Sequence, residues 1–576
     1  MRPLCSLLRV AVLAVSGALV GCVPSARTAP SAADAMYDLV IENGRIVDGT
    51  GAAWFYGDVA VRGDRIARVA RRGMLRSARA HARLDASGLV VAPGFIDIHS
   101  GSGMLRDGRS VSKVTQGITT EIAGEGFTPG PANERTSAPG AAFATSGDRP
   151  GVVAFSGPNG FGAWLDSVSR LGTSPNFGSF VGAATVRVYA KGQAIGKPTA
   201  SELDTMRAVV RRAMQDGAFG VGSALIYPPG NFASTQELVE LSRAMAPLGG
   251  MYITHMRSEA DQLLEAIDEA IRIGREGGVP VEIYHLKAGG QRNWPKMAQA
   301  IAKIDSARAA GLDVQANIYP YPAGATGLAA CTPPWASEGG RLLDNLRDAA
   351  TRARIAAEMR SDRTEWENLC RLATPEGVLL LGLAKAENRQ FNGKRLSEVM
   401  VATGKAPEDA VMDLLISEGQ RIGTVFMMMS EDNVRLGVRQ PWIKFGTDAG
   451  GVDPDSARSL THPRAYGTFP RILGRYVRDE RLLSLEEAVR KSTSATATRL
   501  TIPDRGVLRQ GFFADIVVFD PATITDRATF EAPHQLSTGV RHVLVNGTFV
   551  VRDGRHTGAK PGRILRGPGY GKTRSG

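Results

Sequence analysis

The sequence predicts an α/β protein built on a (β/α)8 TIM-type barrel, with a second, smaller β domain. The first observation is a set of eight strand-like runs, mostly separated by helical segments, at about 94–99, 118–122, 177–186, 220–226, 251–255, 281–285, 314–319 and 442–446. This alternation is typical of a barrel of parallel strands rather than of an open doubly wound sheet. The second observation is that short runs separated by turn signals occur at 37–89 and again after Pro503, so the two ends are expected to form one β domain. The third is the long connection between Tyr321 and Trp442, which predicts an inserted subdomain at roughly 330–400 over the barrel mouth.

The N-terminus predicts an exported protein. Arg2 and Arg9 are followed by an apolar run at 10–20 that is long enough for a signal peptide but too short to span a bilayer. The run ends in Leu-Val-Gly-Cys, which resembles a bacterial lipobox with Cys22 as the acylated residue; the alternative is a plain signal peptide with a chance cysteine. We expect a signal peptide at 1–21, a flexible tether at 22–36 and a periplasmic lipoprotein that is anchored to the membrane.

Composition and charge exclude several classes of protein. The chain is 43% hydrophobic and 22% charged, as in ordinary globular proteins. Beyond the targeting region the cysteines are Cys331 and Cys370, which excludes a disulfide framework, and the sequence leaves open whether these two pair. The net charge of +12 is partly concentrated in a basic, Gly-rich tail at 559–576. No basic helix alternates with aromatic residues, so we expect no nucleic-acid partner and interpret the charge as a solvated surface, open to attraction by anionic membrane or wall polymer.

The stretch 251–290 is interpreted as one βαβ unit. Its two β-prone runs, MYITH and VEIYH, each end in a histidine, and the segment between them has helical periodicity after Ser258 and Asp261, which are interpreted as a capping box. In a barrel, His255 and His285 would lie at the C-terminal ends of adjacent strands, where barrel enzymes carry their active sites. The alternative for each is a hydrogen-bonded core histidine.

Several motifs in order carry a family resemblance. They are VVAPGFIDIHS, THMRSE, IYHLKAGG, FGTDAG, HPRAYGTFPRIL and FFADIVVFDP. From about residue 38 to 570 the chain resembles the amidohydrolase superfamily and, within it, the D-aminoacylases (N-acyl-D-amino-acid deacylases). The resemblance implies a (β/α)8 barrel flanked by a β-sandwich built from both chain ends. We therefore expect the sandwich at 37–92 and 500–558 and the barrel at 93–499.

A hydrolytic zinc site needs about three protein ligands and an open position for water. His255 and His285 supply two, and the resemblance places the third in TTEIAGEGFTP, where the family usually has cysteine and this chain has Glu125. Glu121 is the rival, but it lies inside the apolar run. The family's His-x-His signature is reduced here to His99 and Gly101, so we expect one zinc rather than two, with His99 as an occasional ligand or a polar wall.

The remaining site residues are assigned with the help of the resemblance. Asp448 ends the last strand-like run, where a carboxylate can act as general base and then general acid, and the family assigns it that role. Arg464, in the HPR motif, is expected to bind the substrate carboxylate, because guanidinium matches that group bidentately. Lys287 and Tyr319 are expected to line the pocket. Ala325 replaces a family serine, so one polar contact is expected to be lost or shifted.

These residues predict a zinc-dependent hydrolase that removes the acyl group from N-acyl-D-amino acids or cleaves related L-Xaa-D-Xaa dipeptides. One alternative is a cyclic-amide hydrolase of the dihydroorotase or hydantoinase type, which usually places a carboxylated lysine between two metals; the fourth strand-like run, 220–226, ends without a lysine. The other is an exported, non-catalytic binding protein on the same scaffold. The loss of the second histidine at Gly101 suggests this alternative.

Overall fold

The structure is a computed structural model that describes residues 36–101, 103–137, 155–362, 365–419 and 421–572. The predicted signal peptide, Cys22 and almost all of the predicted tether lie outside these residues. Within the described ranges, no helix combines the length and the apolar character needed to cross a membrane.

Twenty-one strands are assigned within the described residues. They are β1 Tyr37–Ile46, β2 Phe55–Arg62, β3 Arg65–Arg71, β4 Ala80–Asp85, β5 Val90–Pro93, β6 Phe95–Asp97, β7 Ile118–Ala123, β8 Asn176–Ser179, β9 Val181–Gly182, β10 Gly220–Ala224, β11 Met251–His255, β12 Val281–Ile283, β13 Val314–Ile318, β14 Gly324–Gly327, β15 Val378–Leu380, β16 Gly423–Phe426, β17 Ile443–Phe445, β18 Ile516–Phe519, β19 Val540–Val545, β20 Thr548–Arg552 and β21 Arg555–His556.

Sixteen α-helices accompany them in the described part of the chain. They are α1 Val111–Val114, α2 Gly160–Leu171, α3 Ala183–Lys191, α4 Ala200–Gln215, α5 Thr235–Met245, α6 Leu263–Gly277, α7 Lys296–Ala309, α8 Leu342–Arg347, α9 Ala349–Arg360, α10 Leu369–Gly377, α11 Leu396–Thr403, α12 Pro407–Glu418, α13 Glu431–Arg439, α14 Arg464–Arg471, α15 Leu485–Ser492 and α16 Ser494–Arg499. Short 3-10 turns lie at Gly103–Leu105, Gly230–Phe232, Ala246–Leu248, Gln291–Asn293, Leu328–Cys331, Pro334–Gly340 and Arg389–Phe391, and a π-helix at Ile472–Asp479.

The parallel barrel is confirmed. Strands β6, β7 and β8 form one arc, and β9, β10, β11, β12, β13 and β17 form the other. A parallel bridge between Ser100 and Ala449 joins β6 to β17 at the end where both strands stop. The third barrel strand is interrupted at Phe180, between β8 and β9. The predicted third run, 177–186, is therefore too long, because α3 already begins at Ala183.

The βαβ unit at 251–290 forms as expected, but its helix starts later. Helix α6 begins at Leu263, buries an apolar face and ends at Gly278, whose φ of 69° is the left-handed conformation that glycine readily adopts. The predicted capping box is wrong: the Ser258 hydroxyl accepts hydrogen bonds from the backbone N–H groups of Ala260 and Gln262 instead.

The β domain combines both ends of the chain in one nine-stranded sheet. Along the sheet the strand order is β21-β20-β19-β18-β5-β1-β2-β3, and β4 pairs with β1. The two ends meet where β5 pairs antiparallel with β18. Its core is built from aliphatic side chains of both segments, among them Ile41, Val59, Ile516 and Leu544.

The insertion is larger than predicted. Strand β14 pairs antiparallel with β16, and β16 with β15, so segments on both sides of the expected limits, 330–400, belong to one small sheet. Helices α8 to α12 pack on this sheet around a separate apolar core. The pairing that the sequence left open is present: Cys331 and Cys370 form a disulfide, with their Cα atoms 5.2 Å apart.

The backbone of the basic tail packs against the barrel, while the side chains of Lys560, Arg563 and Lys572 remain exposed. Ile564 bridges to Phe177 in the third barrel strand, and the N–H of Gly567 donates to the carbonyl of Gly217. Arg563 pairs with Asp64 at 2.6 Å, and Arg566 pairs with Asp166 at 2.5 Å. Part of the positive charge is therefore neutralised within the molecule.

Candidate active site

Five chemically active side chains converge at the C-terminal ends of the barrel strands. They come from the ends of β6, β7, β11, β12 and β17, and are His99, Glu125, His255, His285 and Asp448. All of them line a cavity of about 1490 Å³ between the barrel and the insertion. Each of these residues was predicted for the site from the sequence, and the structure brings them together.

Glu125 lies at the centre of the cluster. Its Oε2 atom is 2.9 Å from Nε2 of His99, and its Oε1 atom is 3.0 Å from Nδ1 of His255 and 3.5 Å from Nε2 of His285. Burial alone would raise its pKa, but the charge of His99 and the hydrogen bonds from all three histidines hold the pKa of Glu125 well below its usual range. The carboxylate is therefore ionised at neutral pH, as a metal ligand must be.

Glu121, the rival for that position, is excluded from the cluster. It is buried among Ser100, Ser110 and Lys113, and Ser110 donates to it at 2.5 Å. Lys113 is also 2.6 Å from Asp97, whose Oδ1 atom accepts a hydrogen bond from the backbone N–H of His99. This buried network supports the strand end that carries His99.

A buried carboxylate that the sequence analysis did not select, Glu259, ties two of the histidines to Lys287. The Lys287 ammonium is 2.8 Å from both Glu259 oxygens and 2.7 Å from Nδ1 of His285. Glu259 Oε1 is 2.9 Å from the same His285 nitrogen, and Oε2 is 3.5 Å from Nε2 of His255. Lys287 thus joins Glu259 to His285, in addition to its predicted place in the pocket wall.

The two strand-end histidines have different electrostatic environments. Burial lowers the pKa of His255. Burial and the Lys287 ammonium also act to lower the pKa of His285, but the carboxylates of Glu259 and Asp448 outweigh them and raise it to about 9. Burial opposes ionisation of Glu259 as well, yet the charges of His255, Lys287 and His285 lower its pKa below the usual value.

Asp448 stands between the histidines and the predicted carboxylate-binding arginine. Its Oδ1 atom is 3.4 Å from Nε2 of His99, and its Oδ2 atom is 2.6 Å from Nη1 of Arg464. The backbone N–H of Asp448 donates to the carbonyl of His99. Asp448 and His285 both have positive φ, 49° and 34°. Non-glycine residues adopt this conformation at a cost, and such residues concentrate in functional sites.

Arg464 is fixed by contacts on several sides. Its Nη2 atom donates to the carbonyl of Ala325 at 3.2 Å, and its guanidinium lies 4.6 Å from the centre of the Tyr319 ring. Its backbone N–H donates to His462, whose other ring nitrogen is 3.0 Å from the carbonyl of Ala323. Ala325, which replaces the family serine, has no side-chain hydroxyl. At that position the partner of Arg464 is therefore the backbone oxygen of Ala325.

Gly101 occupies the place of the second signature histidine. A neighbouring backbone segment limits the size of the side chain at this position. A Cβ atom added there would lie 3.0 Å from the backbone nitrogen and 3.1 Å from the Cα of Gly450. Such a contact is tight against main-chain atoms, which cannot rotate away as a side chain can. The loss of the second histidine is therefore matched by a close approach of two backbone segments.

The described residues offer two overlapping donor sets that fit a metal ion. One consists of His99, Glu125, His285 and Asp448, and the other of His255, Glu259 and His285. The Nε2 atom of His255 is buried and has no hydrogen-bond partner within the described residues. Buried imidazole nitrogens usually have a hydrogen-bond partner, and zinc is bound by nitrogen and oxygen donors such as those of this cluster. The unpartnered His255 nitrogen therefore fits a zinc ligand.

Further residues of the site had no sequence signal. Tyr227 packs edge-on against His255, with ring centres 5.2 Å apart, and Arg421 enters the cavity from the insertion. Glu367, also from the insertion, accepts hydrogen bonds from the hydroxyl of Ser258 and the backbone N–H of Glu259. Glu259 itself could have been found, because it closes the THMRSE motif four residues after His255.

Comparison with known proteins agrees with this geometry. Residues 83–551 match the model of the amidohydrolase family. A D-aminoacylase from Alcaligenes xylosoxydans xylosoxydans is 35% identical over 92% of this chain and 97% of its own length. A solved D-aminoacylase, described as having a binuclear metal centre with one-metal activation and second-metal attenuation, is 32% identical, with a TM-score of 0.77 over 92% of this chain and all of that one.

A second solved structure adds a ligand complex. It is an N-acyl-D-glutamate deacylase from Bordetella bronchiseptica with zinc and a phosphonate that mimics the tetrahedral intermediate. It is 31% identical, with a TM-score of 0.76 over 92% of this chain and all of that one. The match covers the barrel, the β domain and the site together. The chain therefore belongs to the amidohydrolase family, in the group that contains the D-aminoacylases.

Proposed function

We propose that this protein is a zinc-dependent hydrolase that cleaves the amide bond of N-acyl-D-amino acids. The observation that carries the proposal is the position of Arg464, 2.6 Å from Asp448 at the edge of the histidine and carboxylate cluster. A carboxylate-binding cation thus adjoins a group able to transfer protons, which is what hydrolysis of an acylated amino acid needs. The relatives that are D-aminoacylases and N-acyl-D-glutamate deacylases support the same substrate class.

We assign one tightly bound zinc to Glu125, His255 and His285, with His99 beside them. When bound, zinc acidifies a water molecule and polarises the acyl carbonyl. The close approach of Gly101 to Gly450 supports a single ion, because a second signature histidine there would require the Gly450 backbone to shift by a few tenths of an ångström. Glu125→Ala should lose metal and activity together, as measured by elemental analysis and turnover. Two tightly bound equivalents of zinc in the wild type would contradict the single-ion proposal.

The protein's own residues have separate tasks. Asp448 accepts a proton from the attacking water at Oδ1 and delivers it to the nitrogen of the leaving amine. Arg464 binds the free carboxylate of the substrate, and it is placed for this by Ala325 and Tyr319. Lys287 and Glu259 keep His285 oriented. Together these contacts fix the scissile carbonyl and the carboxylate of one substrate molecule.

Fixing those two groups makes the reaction stereospecific. With the carbonyl and the carboxylate held, the side chain and the hydrogen on Cα exchange places between enantiomers, so only one enantiomer directs its side chain into the cavity. Misplacing that group should lower kcat/KM for the disfavoured hand by at least ~100-fold. The D preference follows the relatives.

The test is a hydrolysis screen with paired D and L N-acetyl amino acids and L-Xaa-D-Xaa dipeptides. Arg464→Lys should reduce kcat/KM for the acylated amino acids, because an ammonium cannot replace the bidentate guanidinium. Amides that lack the carboxylate are the matched control and should be less affected. Equal rates for both enantiomers, or an Arg464→Lys variant that is silent on every substrate, would overturn the proposal.

The two alternative functions receive less support. A cyclic-amide hydrolase would use a lysine at the end of β10, but β10 carries no lysine. Among the described residues, the lysine that lines the cavity is Lys287, and it is bound to Glu259. A non-catalytic binding protein would not need Asp448 and the complete ligand cluster.

We further propose that the protein is exported and lipid-anchored through Cys22. The disulfide between Cys331 and Cys370 supports an oxidising compartment such as the periplasm. Cys22→Ser should move the protein from the membrane pellet to a soluble or uncleaved form. A wild-type protein that is already soluble after cell fractionation would disprove the anchor.

A further inference from the structure

Arg421 places an additional cation in the active-site cavity. It lies two residues before β16 in the insertion, and it lines the same cavity as Glu125, His255 and Asp448. Its Nη2 atom is 3.3 Å from the hydroxyl of Thr326 on the neighbouring strand β14. The guanidinium stem packs along Gly327, where an added Cβ would lie 3.2 Å from Nε. The side chain is therefore directed across the sheet toward the cavity by the residues around it.

This guanidinium lacks the ion pair that Arg464 and Lys287 possess. Arg464 pairs with Asp448 at 2.6 Å and Lys287 pairs with Glu259 at 2.8 Å, whereas Arg421 forms no ion pair with any described residue. Burial, together with the positive charge of Arg464, lowers the pKa of Arg421. Arg421 is half-buried in the cavity wall, where a cation without an adjacent anion is costly to keep, so its position indicates an anion that arrives from outside.

Arg421 and Arg464 approach the same short strand. Arg464 donates to the carbonyl of Ala325, and Arg421 donates to the side chain of the next residue, Thr326. Consecutive residues of a strand are ~3.3 Å apart, so the two guanidinium groups are anchored one residue apart. Thr326 is also a hydrogen-bond partner of Tyr227, which packs on His255. Arg421 thus lies on the wall that joins the carboxylate site to the metal ligands.

We propose that Arg421 binds a carboxylate on the substrate side chain, so that the preferred substrates are N-acyl-D-amino acids with acidic side chains. This rests on the proposed function, in which Arg464 binds the α-carboxylate. The side-chain carboxylate of an acidic amino acid is separated from the α-carboxylate by only one or two methylene groups beyond Cα. A pair of arginines anchored at adjacent residues suits such a dianion, and a neutral side chain would leave Arg421 without a counter-charge.

The test compares N-acetyl-D-glutamate and N-acetyl-D-aspartate with N-acetyl-D-methionine. Wild-type enzyme should prefer the acidic substrates, and Arg421→Met should lower kcat/KM for them by at least ~30-fold, the usual scale for losing a buried charged hydrogen-bonding partner. The methionine substrate should change by less than about threefold, because it makes no charged contact with Arg421. Arg421→Lys, which retains charge without the bidentate geometry, should fall between.

Lys405→Met is the matched control. It removes one positive charge from the same insertion at an exposed position, where Lys405 pairs with Asp413 at 2.6 Å, and it should leave the ratio of acidic to neutral substrates unchanged. Circular dichroism and thermal midpoints establish that each variant is folded. Should Arg421→Met fail to fold, Arg421→Gln and Arg421→Lys provide the same comparison.

A binding measurement separates this inference from the proposed function. Calorimetric titration of the Asp448→Asn protein with N-acetyl-D-glutamate and N-acetyl-D-methionine reports on Arg421 without turnover. Tighter binding of the acidic ligand that disappears with Arg421→Met supports the inference. If wild-type enzyme hydrolyses the neutral D substrate while Arg421→Met affects both substrates equally, the inference is wrong and the proposed function stands. If neither substrate is hydrolysed or bound, both are wrong.

Discussion

The disulfide in the insertion should contribute measurably to the local stability of the cavity wall. Cys331 and Cys370 are separated by 39 residues in sequence and join the segment after β14 to helix α10. A cross-link that closes a loop of this length removes conformational entropy worth about 4 kcal/mol from the unfolded insertion. Replacing both cysteines by alanine should therefore raise the fraction of molecules in which the insertion is transiently unfolded by roughly a thousand-fold.

Hydrogen exchange followed by mass spectrometry measures this directly. Peptides from helices α8 to α12 should lose protection in the double variant, while peptides from β11 and β12 should not, because the insertion has its own apolar core. KM should also rise, since β14 supplies the partner atoms of Arg464 and Arg421. The double variant should be insensitive to reductant, whereas reduced wild type should resemble it. Unchanged protection in the insertion, or an equal loss throughout the barrel, would refute the reasoning.

Three other substitutions test different parts of the site. Asp448→Asn should retain zinc while turnover falls by at least ~100-fold, as measured by elemental analysis and steady-state kinetics; retained activity would contradict the proton-transfer role. Gly101→His should not add a second tightly bound zinc and should lower the thermal midpoint, because its Cβ would crowd Gly450; a gain to two equivalents would show that residue 101 alone sets the metal count. Burial and the nearby Glu259 charge raise the pKa of Glu367 to about 7 from 4.5, so the native state holds this proton more tightly than the unfolded state does. The resulting contribution to stability is full below pH 4.5 and is lost as the pH rises through 7. Glu367→Gln should flatten that decline in thermal midpoints, and an unchanged pH profile would show that Glu367 does not cause it.

Much of the barrel and the convergence of its strand-end histidines could be predicted because both depend on local patterns. His255 and His285 each close a short β-prone run, and parallel strands carry their C-terminal ends to one face, so the sequence alone was enough to bring them together. Glu125 could be preferred over Glu121 for the same reason, since it follows its strand and Glu121 lies within it. The role proposed for Arg464 needed the family resemblance, because nothing local distinguishes it from other arginines.

What was missed depends on contacts between distant segments. Arg421 enters the site only because β14 and β16, nearly a hundred residues apart in sequence, pair with each other. The same pairing explains why the insertion extends beyond its predicted limits. Glu259 follows its strand by four residues and reaches back to Lys287, a contact that strand periodicity does not reveal. Positive φ at His285 and Asp448 likewise has no signature in the sequence.

The packing of the C-terminal tail fixes the order in which the molecule can be completed during synthesis. Ile564 contacts the third barrel strand and Gly567 contacts the turn before the fourth, at the face opposite the active site, and β5 needs β18 as its neighbour in the sheet. Neither the β domain nor the lower face of the barrel can therefore be finished until nearly all 576 residues have left the ribosome. The sheet of the β domain therefore cannot assemble strand by strand as the chain emerges, because its first and last segments are neighbours in space and its centre closes only when both are present.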